Sequence, residues 1–535
     1  MDRKQFIQSS LLLTGIGGVV ASCQHTKKIK GGIINSSSVG HLLRDKQFDK
    51  PAETFKKRIV IVGGGVSGLS AARHLYQNGE KDFILLDLEK KPGGNAAHGE
   101  NKISAFPWGA HYIPIPNNGL QAYHEFLKDC GVIVSVDAGG LPVYNEDYLC
   151  FDPEERLYIN GRWQDGLVPH FGLPADDVRQ TERFLNLMND YRHLKGSDGK
   201  DAFAIPVNTS STDERFTKLD GITMKAWLQQ NNFTSTYLLD YINYCTRDDF
   251  GTPSAICSAW AGIHYFAARK GKGGNASYSD VLTWPEGNGF LIEGLSKEIK
   301  ANIRTECLAV DVRSTGQGVE VTYFDVEKKM LYAVQAEQCI LAVPQFIAAR
   351  LLKDKMRAEN VTQKMQYVPW MVANLSVTQL EERSGAPLSW DNVLHDSRSL
   401  GYVEATHQLT KQYMPVKNLT YYLPLTEKDT VTERKSAQSK TFEELVETIT
   451  RDLQKVHLNI REAIQEVNIM LWGHAMAQPL PGIIHGGLRN QLAAPVNNCI
   501  HFAHTDIAGI SIFEEGFYQG LNAAQKILEQ TKHPL

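Results

Sequence analysis

The chain has 535 residues, a length that allows two or three domains and a core large enough to enclose a cofactor. It is 42% hydrophobic and 22% charged, with a net charge of -4. This balance excludes a disordered or fibrous class and supplies neither a basic excess for nucleic acid nor an acidic tail. The eight cysteines are scattered, with no two within three residues of each other, so the spacing offers no metal site and no redox pair. They read as buried thiols, or as partners in a long-range disulfide in an oxidising compartment.

Residues 1–23 read as a targeting segment. Arg3 and Lys4 supply positive charge, and the apolar run from Leu11 to Ala21 is too short to span a bilayer. Val20-Ala21-Ser22-Cys23 resembles a bacterial lipobox. That resemblance implies lipidation at Cys23 and an exported lipoprotein, anchored to a membrane and facing the periplasm of a bacterium. Asp2-Arg3-Lys4-Gln5-Phe6 is similar to a twin-arginine signal with a single arginine, which leaves the export route open. Residues 24–57, with Gly31-Gly32 and a serine run at Ser36-Ser37-Ser38, read as a tether. No later stretch has the length and hydrophobicity of a membrane span.

Arg58-Ile59-Val60-Ile61-Val62 is a short apolar run and predicts a buried strand. It leads into Gly63-Gly64-Gly65-Val66-Ser67-Gly68, and a helical pattern follows through Leu69, Ala72, Leu75 and Tyr76. Gly63, Gly65 and Gly68 fit G-x-G-x-x-G: a tight turn, a backbone open to pyrophosphate, and close packing of helix on strand. The helix start, Val66 and Ser67 included, offers free N–H groups and a positive dipole end to phosphate. A second strand, Phe83 to Leu86, ends at Asp87, 19 residues past Gly68, where a carboxylate can accept both ribose hydroxyls. Strand, glycine turn, helix and acid in register point to a dinucleotide site.

The segment after Asp87 carries Gly93-Gly94-Asn95, and here the chain resembles the flavin-containing amine oxidase superfamily, which includes amine oxidases, protoporphyrinogen oxidases and phytoene desaturases. The group usually has arginine where Asn95 stands. Trp108-Gly109-Ala110-His111-Tyr112-Ile113 resembles the segment that passes the flavin ring, and Trp284-Pro285-Glu286-Gly287-Asn288-Gly289 the turn that returns the chain to the FAD domain. A strand around Val310 would meet the adenine, and Cys339 to Pro344 resembles the strand ending in Ala-x-Pro. Near the C-terminus, the resemblance implies that Asp506 holds a ribityl hydroxyl. It also implies that the helix opening at Gly516-Phe517-Tyr518 points at the flavin edge, where its dipole stabilises the charge left by hydride uptake. FAD is therefore the implied cofactor.

These pieces imply an α/β chain with a discontinuous Rossmann-like FAD-binding domain at 58–115, 285–345 and 490–535. A substrate domain of α+β type, 116–284 and 346–489, is inserted between them. A small-molecule substrate would sit between the domains, against the flavin. Family amine oxidases place a lysine beside the flavin, in a strand like Pro369 to Leu375. Asn374 falls there, which implies an electron acceptor other than oxygen, of unknown identity. The resemblance makes Phe517 one wall of an aromatic cage and Trp472 or His474 the other; His474 is also a candidate for a covalent flavin link. Trp260, Ile263, His264 and Ala267 share one helical face, either as a core stripe or with Trp260 and His264 lining the cavity. Glu404 and His407 face a cavity or solvent. Asp248, Asp249 and Glu286 are anchors for a cationic substrate, or surface and turn residues.

Three readings follow. The first is oxidation of an amine or polyamine by hydride transfer to flavin, which needs carboxylates or aromatic rings in the cavity. The second is oxidation or desaturation of an apolar isoprenoid or porphyrinogen, which needs an apolar channel. The third is a flavin redox-relay lipoprotein without turnover, which needs a closed flavin face.

Overall fold

The computed structural model describes residues 27–34, 37–410 and 414–532. Cys23 and the rest of the targeting segment lie outside the described residues. A five-stranded parallel sheet is assembled from distant stretches in the order Ile303–Arg304, Phe83–Leu86, Ile59–Val62, Gln338–Leu341, Ile500–Phe502. Ile59–Val62 and Phe83–Leu86 are buried at every residue, as continuous apolar runs must be when both sheet faces are covered. The helix Val66–Gln77 leaves the glycine turn and packs against the C-terminal helix Phe513–Lys532. The two axes meet at Gly520, where an added methyl group would overlap the carbonyl oxygen of Ser67. Beside this unit stands a four-stranded sheet, in the order Cys307–Thr315, Gly318–Asp325, Met330–Ala336, Glu53–Lys56.

The second large sheet has eight strands: Lys30–Ile34, Ile464–Ala477, Tyr367–Val377, Lys417–Pro424, Tyr402–Glu404, Asp391–Leu394, Glu155–Ile159 and Arg162–Asp165, in that order. Helices Ala175–His193, Met224–Gln230, Thr236–Phe250 and Ala259–Ala267 accompany it. The class is α/β, with a Rossmann-like sheet built from separated segments, as the motifs imply.

The described residues of 24–57, 27–34 and 37–57, differ from the tether that the glycines and serines suggest. Lys30–Ile34 is an edge strand, parallel to Ile464–Ala477. Gly31 has φ +130, and a side chain there would overlap the Val467 carbonyl, so the glycine admits a neighbouring backbone rather than loosening the chain. A helix follows at Ser37–Asp45, and Leu42, Leu43 and Phe48 pack with Leu308, Phe324 and Leu331. Glu53–Lys56 then pairs with Met330–Ala336. Apolar side chains in this segment find surfaces made hundreds of residues later. The seven cysteines among the described residues are all free, six of them buried. No described helix is long and apolar enough to cross a membrane.

Candidate active site

A cavity of about 410 Å3 starts at the first βα turn and ends at the C-terminal helix. Its floor is Gly63 to Ser67, because the strand Ile59–Val62 stops there and the helix starts at Val66, capped by Gly65. Added atoms at Gly65 would meet nothing within 4 Å, so the backbone is open to the cavity. Asp87 lines one end. Its Oδ2 accepts the Gly64 N–H at 2.5 Å and its Oδ1 the Glu89 N–H at 2.8 Å. Burial pushes this carboxyl up to about 6 against those two bonds. At the other end stand Asp506, Phe513 and Gly516. Asp506 Oδ2 accepts the Tyr367 hydroxyl and the Gln345 N–H, each at 2.7 Å. Its Oδ1 lies 2.9 Å from His504 Nδ1, but that nitrogen accepts the Asp506 N–H at 3.2 Å. Because that ring nitrogen stands as acceptor toward the Asp506 N–H, Asp506 Oδ1 is a buried acceptor with no donor among the described residues. An extended nucleotide supplies what each of these points lacks: hydroxyls for the two carboxylates and phosphate for the helix N-terminus.

A second cavity of about 150 Å3 adjoins the first, sharing Asn95, Ala110, Trp472, Ala475, Ile512 and Phe513 as common wall. The Trp472 indole is fixed by a 2.6 Å bond from Nε1 to the Trp108 carbonyl. Beside it in the same sheet lie Trp370, Val372, Tyr422 and Met476, and the cavity is also lined by three carboxylates: Asp248, Asp249 and Glu514. Asp249 is paired with Arg269 at 2.6 Å. Asp248 keeps some accessible surface because it faces the cavity, yet it lies deep in the protein, and burial reinforced by Asp249 raises it to about 7. Burial likewise raises Glu514 to about 7. A third space of about 140 Å3 continues from Asp248, His111, Tyr112 and Tyr422 to Glu155, Asp391 and Asp280, between the rings of Tyr244, Tyr265, Tyr278 and Trp390. Burial raises Glu155 to about 7 and lifts Asp391 well above the usual carboxylate range. Among the lining residues of the second and third spaces, six carboxylates face one guanidinium, Arg269.

The family model for flavin containing amine oxidoreductases matches residues 66–528. The chain belongs to that family. It is an FAD-dependent oxidoreductase, and the first cavity, the FAD cavity, is lined by residues that would hold that cofactor. Bovine (Bos taurus) prenylcysteine oxidase 1 is 25% identical over 259 residues, 47% of this chain and about half (49%) of that relative. The chloroplastic protoporphyrinogen oxidase of Oryza sativa subsp. japonica is 22% identical over 447 residues, 79% of each chain. A solved structure of wild-type putrescine oxidase bound to putrescine has the same fold, with a TM-score of 0.64 at 16% identity, covering 89% of this chain and 100% of that one.

Within this amine oxidoreductase site, Gly63, Gly65, Val66, Ser67, Asp87, Gly94, Asn95, Ala110, Asp506 and Gly516 line the FAD cavity. Gly68 does not; it packs helix on strand, since a side chain there would overlap the Gly63 carbonyl. Asn95, in the arginine place, donates to the Ala475 carbonyl and so ties the FAD cavity to the strand Ile464–Ala477. Gly109, His111 and Tyr112 border the second cavity instead. Val310 is replaced as wall by Cys307, Leu308 and Ala309, because a bulge at this point turns it into the cluster around Leu308. Phe517 is no cage wall: its ring packs behind the helix, 5.4 Å from Phe126 and 5.2 Å from Tyr123. Phe513, one turn earlier, lines both cavities in its place. Tyr518 packs on Phe517 away from the cavity. Trp472 stands in the shared wall, and His474 borders the FAD cavity, its ring tilted against Phe346 at 4.5 Å and its pKa lowered to about 4 by burial and Arg434.

Two expected catalytic positions are structural. Asn374 donates to the Pro107 carbonyl at 3.0 Å and accepts from Thr420 at 2.6 Å, which consumes its amide inside the sheet. His264 stacks on Trp260 and bonds the Ala204 carbonyl at 3.0 Å, a satisfied core histidine. Glu404 pairs with Lys417 at 2.6 Å, His407 bonds the Phe151 carbonyl, and Glu286 sits in a turn outside the cavities. Sequence reasoning gave no role to Phe513, Glu514, Arg269, Trp370 or Tyr422. Only Glu514 left a signal, as an acid in the first turn of the last helix.

Proposed function

We propose that the enzyme oxidises a cationic amine, with diamines and polyamines the best fit. The observation that carries this is the acid-rich, aromatic second cavity that shares Trp472 and Phe513 with the FAD cavity. Bound FAD supplies the acceptor for a hydride from the carbon next to nitrogen. Asp248 and Glu514 draw an ammonium group into the site, and the rings of Trp370, Tyr422 and Phe513 shield it and exclude water. A carboxylate whose pKa lies near 7 takes the ammonium proton once burial has weakened the amine as a base, leaving the nitrogen lone pair free to push out hydride. The imine product is then hydrolysed by water. Glu155 and Asp391, at the far end of the connected space, suit a second positive charge on a linear substrate. The putrescine bound by the similar oxidase structure is a molecule of that class. Among the described residues no lysine lines either the FAD cavity or the second one, which supports an electron acceptor other than oxygen.

The test is anaerobic bleaching of the purified flavoprotein by diamines, monoamines, porphyrinogens and prenyl thioethers. Bleaching by amines supports the proposal. Bleaching by porphyrinogens or thioethers alone favours the apolar reading, and refusal of all four classes favours a relay.

A further inference from the structure

We propose that the N-terminal stretches 30–34 and 37–56 act as a strap that forms part of the FAD site, and that cofactor exchange requires the helix Ser37–Asp45 to leave. The proposal is independent of the amine reading. Ordinary construction of such a site uses the turn after the first strand and the acid after the second. This chain adds a third wall. Gly40 and Leu43, on the helix Ser37–Asp45, line the FAD cavity at its Asp87 end, beside Leu88, Glu89 and Leu308.

The strap is fastened on both sides of that opening. Upstream, Lys30–Ile34 adds to the strand Ile464–Ala477, which also carries Trp472, His474 and Ala475 into the cavity. Lys27 Nζ bonds the carbonyls of Glu462 and Ile464 at 2.8 and 2.7 Å next to this edge. Downstream, Glu53–Lys56 adds to Met330–Ala336. Between the two, Leu42, Leu43 and Phe48 sit on Leu88, Leu308 and Phe324, and Lys46 stands 4.4 Å over the Phe324 ring. The helix has only nine residues, too few to persist without that packing. Its own hold is one small apolar cluster, so it is the least expensive wall to open. Because Gly40 and Leu43 line the cavity, bound nucleotide would meet the strap there, which couples strap order to cofactor occupancy by mutual binding.

The test uses full-length holoprotein and follows FAD release by the recovery of free-flavin fluorescence. Leu43→Asp puts a charge in the wall, and Gly31→Ala unseats the distant edge strand without touching the cavity. Release at least ten-fold faster in both variants is expected, with far-UV circular dichroism unchanged while FAD is saturating. Amide exchange on the wild type adds a measurement that needs no variant: Leu42 to Lys46 should be protected with FAD bound and exchange faster in the apoprotein. Wild-type release rates in both variants, or equal exchange in the two forms, would overturn the proposal. Such a failure leaves the amine screen untouched.

Discussion

Trp472 Nε1 donates to the Trp108 carbonyl at 2.6 Å, and this bond joins the eight-stranded sheet to the loop that passes the FAD cavity. The indole it holds is wall to both cavities. Trp472→Phe keeps an aromatic ring but leaves the carbonyl without this donor. We expect a stability loss of about 1 kcal/mol and a fall in kcat/KM larger than the fall in FAD affinity. Thermal melting of the FAD-saturated protein and steady-state kinetics check the two parts.

Gly520 and Ser67 fix how closely the last helix approaches the first. Gly520→Ala forces the helices apart, at a cost of about 1–3 kcal/mol by the usual scale of overpacking. Because the same helix brings Gly516 to the cavity, FAD affinity should fall with stability. Titration of the apoprotein with FAD measures the first and chemical denaturation the second.

Asp248 gives a pH signature with a definite sign. Burial raises its folded pKa to about 7, above the ordinary carboxylate value, so the folded state binds a proton that the unfolded state has lost. Stability from this group is therefore full below about pH 4 and is lost as pH rises through 7. Asp248→Asn removes the penalty. The variant should melt higher than wild type at pH 8, and the two should converge toward pH 4. Binding of a cationic substrate runs the other way, rising through pH 7 as the carboxylate ionises. A variant less stable than wild type at pH 8 would show that Asp248 is held charged by a partner.

The first strand, the glycine turn and Asp87 were readable because each is local: a four-residue apolar run, a turn that needs glycine, and an acid at a fixed distance. The end of the chain was only half readable. Glu514-Glu515-Gly516 marks a helix start at the cavity, but whether Phe513 or Phe517 faces it depends on Tyr123 and Phe126, which take Phe517 from the helix Gln121–Asp129 far upstream. The acids of the second cavity were ambiguous for the same reason. Asp248 and Asp249 lie near the end of the helix Thr236–Phe250, where charge is equally at home on a surface, and only the opposing sheet encloses them. Gly31-Gly32 looked like a linker because nothing local shows the Val467 backbone that needs the missing side chain.

We propose that the lipobox at Cys23 is functional. Six residues separate Cys23 from Lys30, the first residue of the edge strand, a span of at most about 25 Å when fully extended. A lipid at Cys23 would then hold the enzyme close to the bilayer rather than on a long leash. Cys23→Ser should shift the protein from the detergent phase to the aqueous phase on phase partitioning and leave its visible spectrum unchanged. Equal partitioning of the two forms would remove the anchor.

The most direct measurement is anaerobic stopped-flow reduction of the bound flavin by a linear diamine, in the wild type and in a variant carrying both Asp248→Asn and Glu514→Gln. The wild type should bleach with saturation. The variant should need at least about 30-fold more diamine for half-saturation, the scale for removing partners of a buried charge, with its resting spectrum intact. A wild type that no amine bleaches, or a variant that saturates at the wild-type concentration, would contradict the amine assignment.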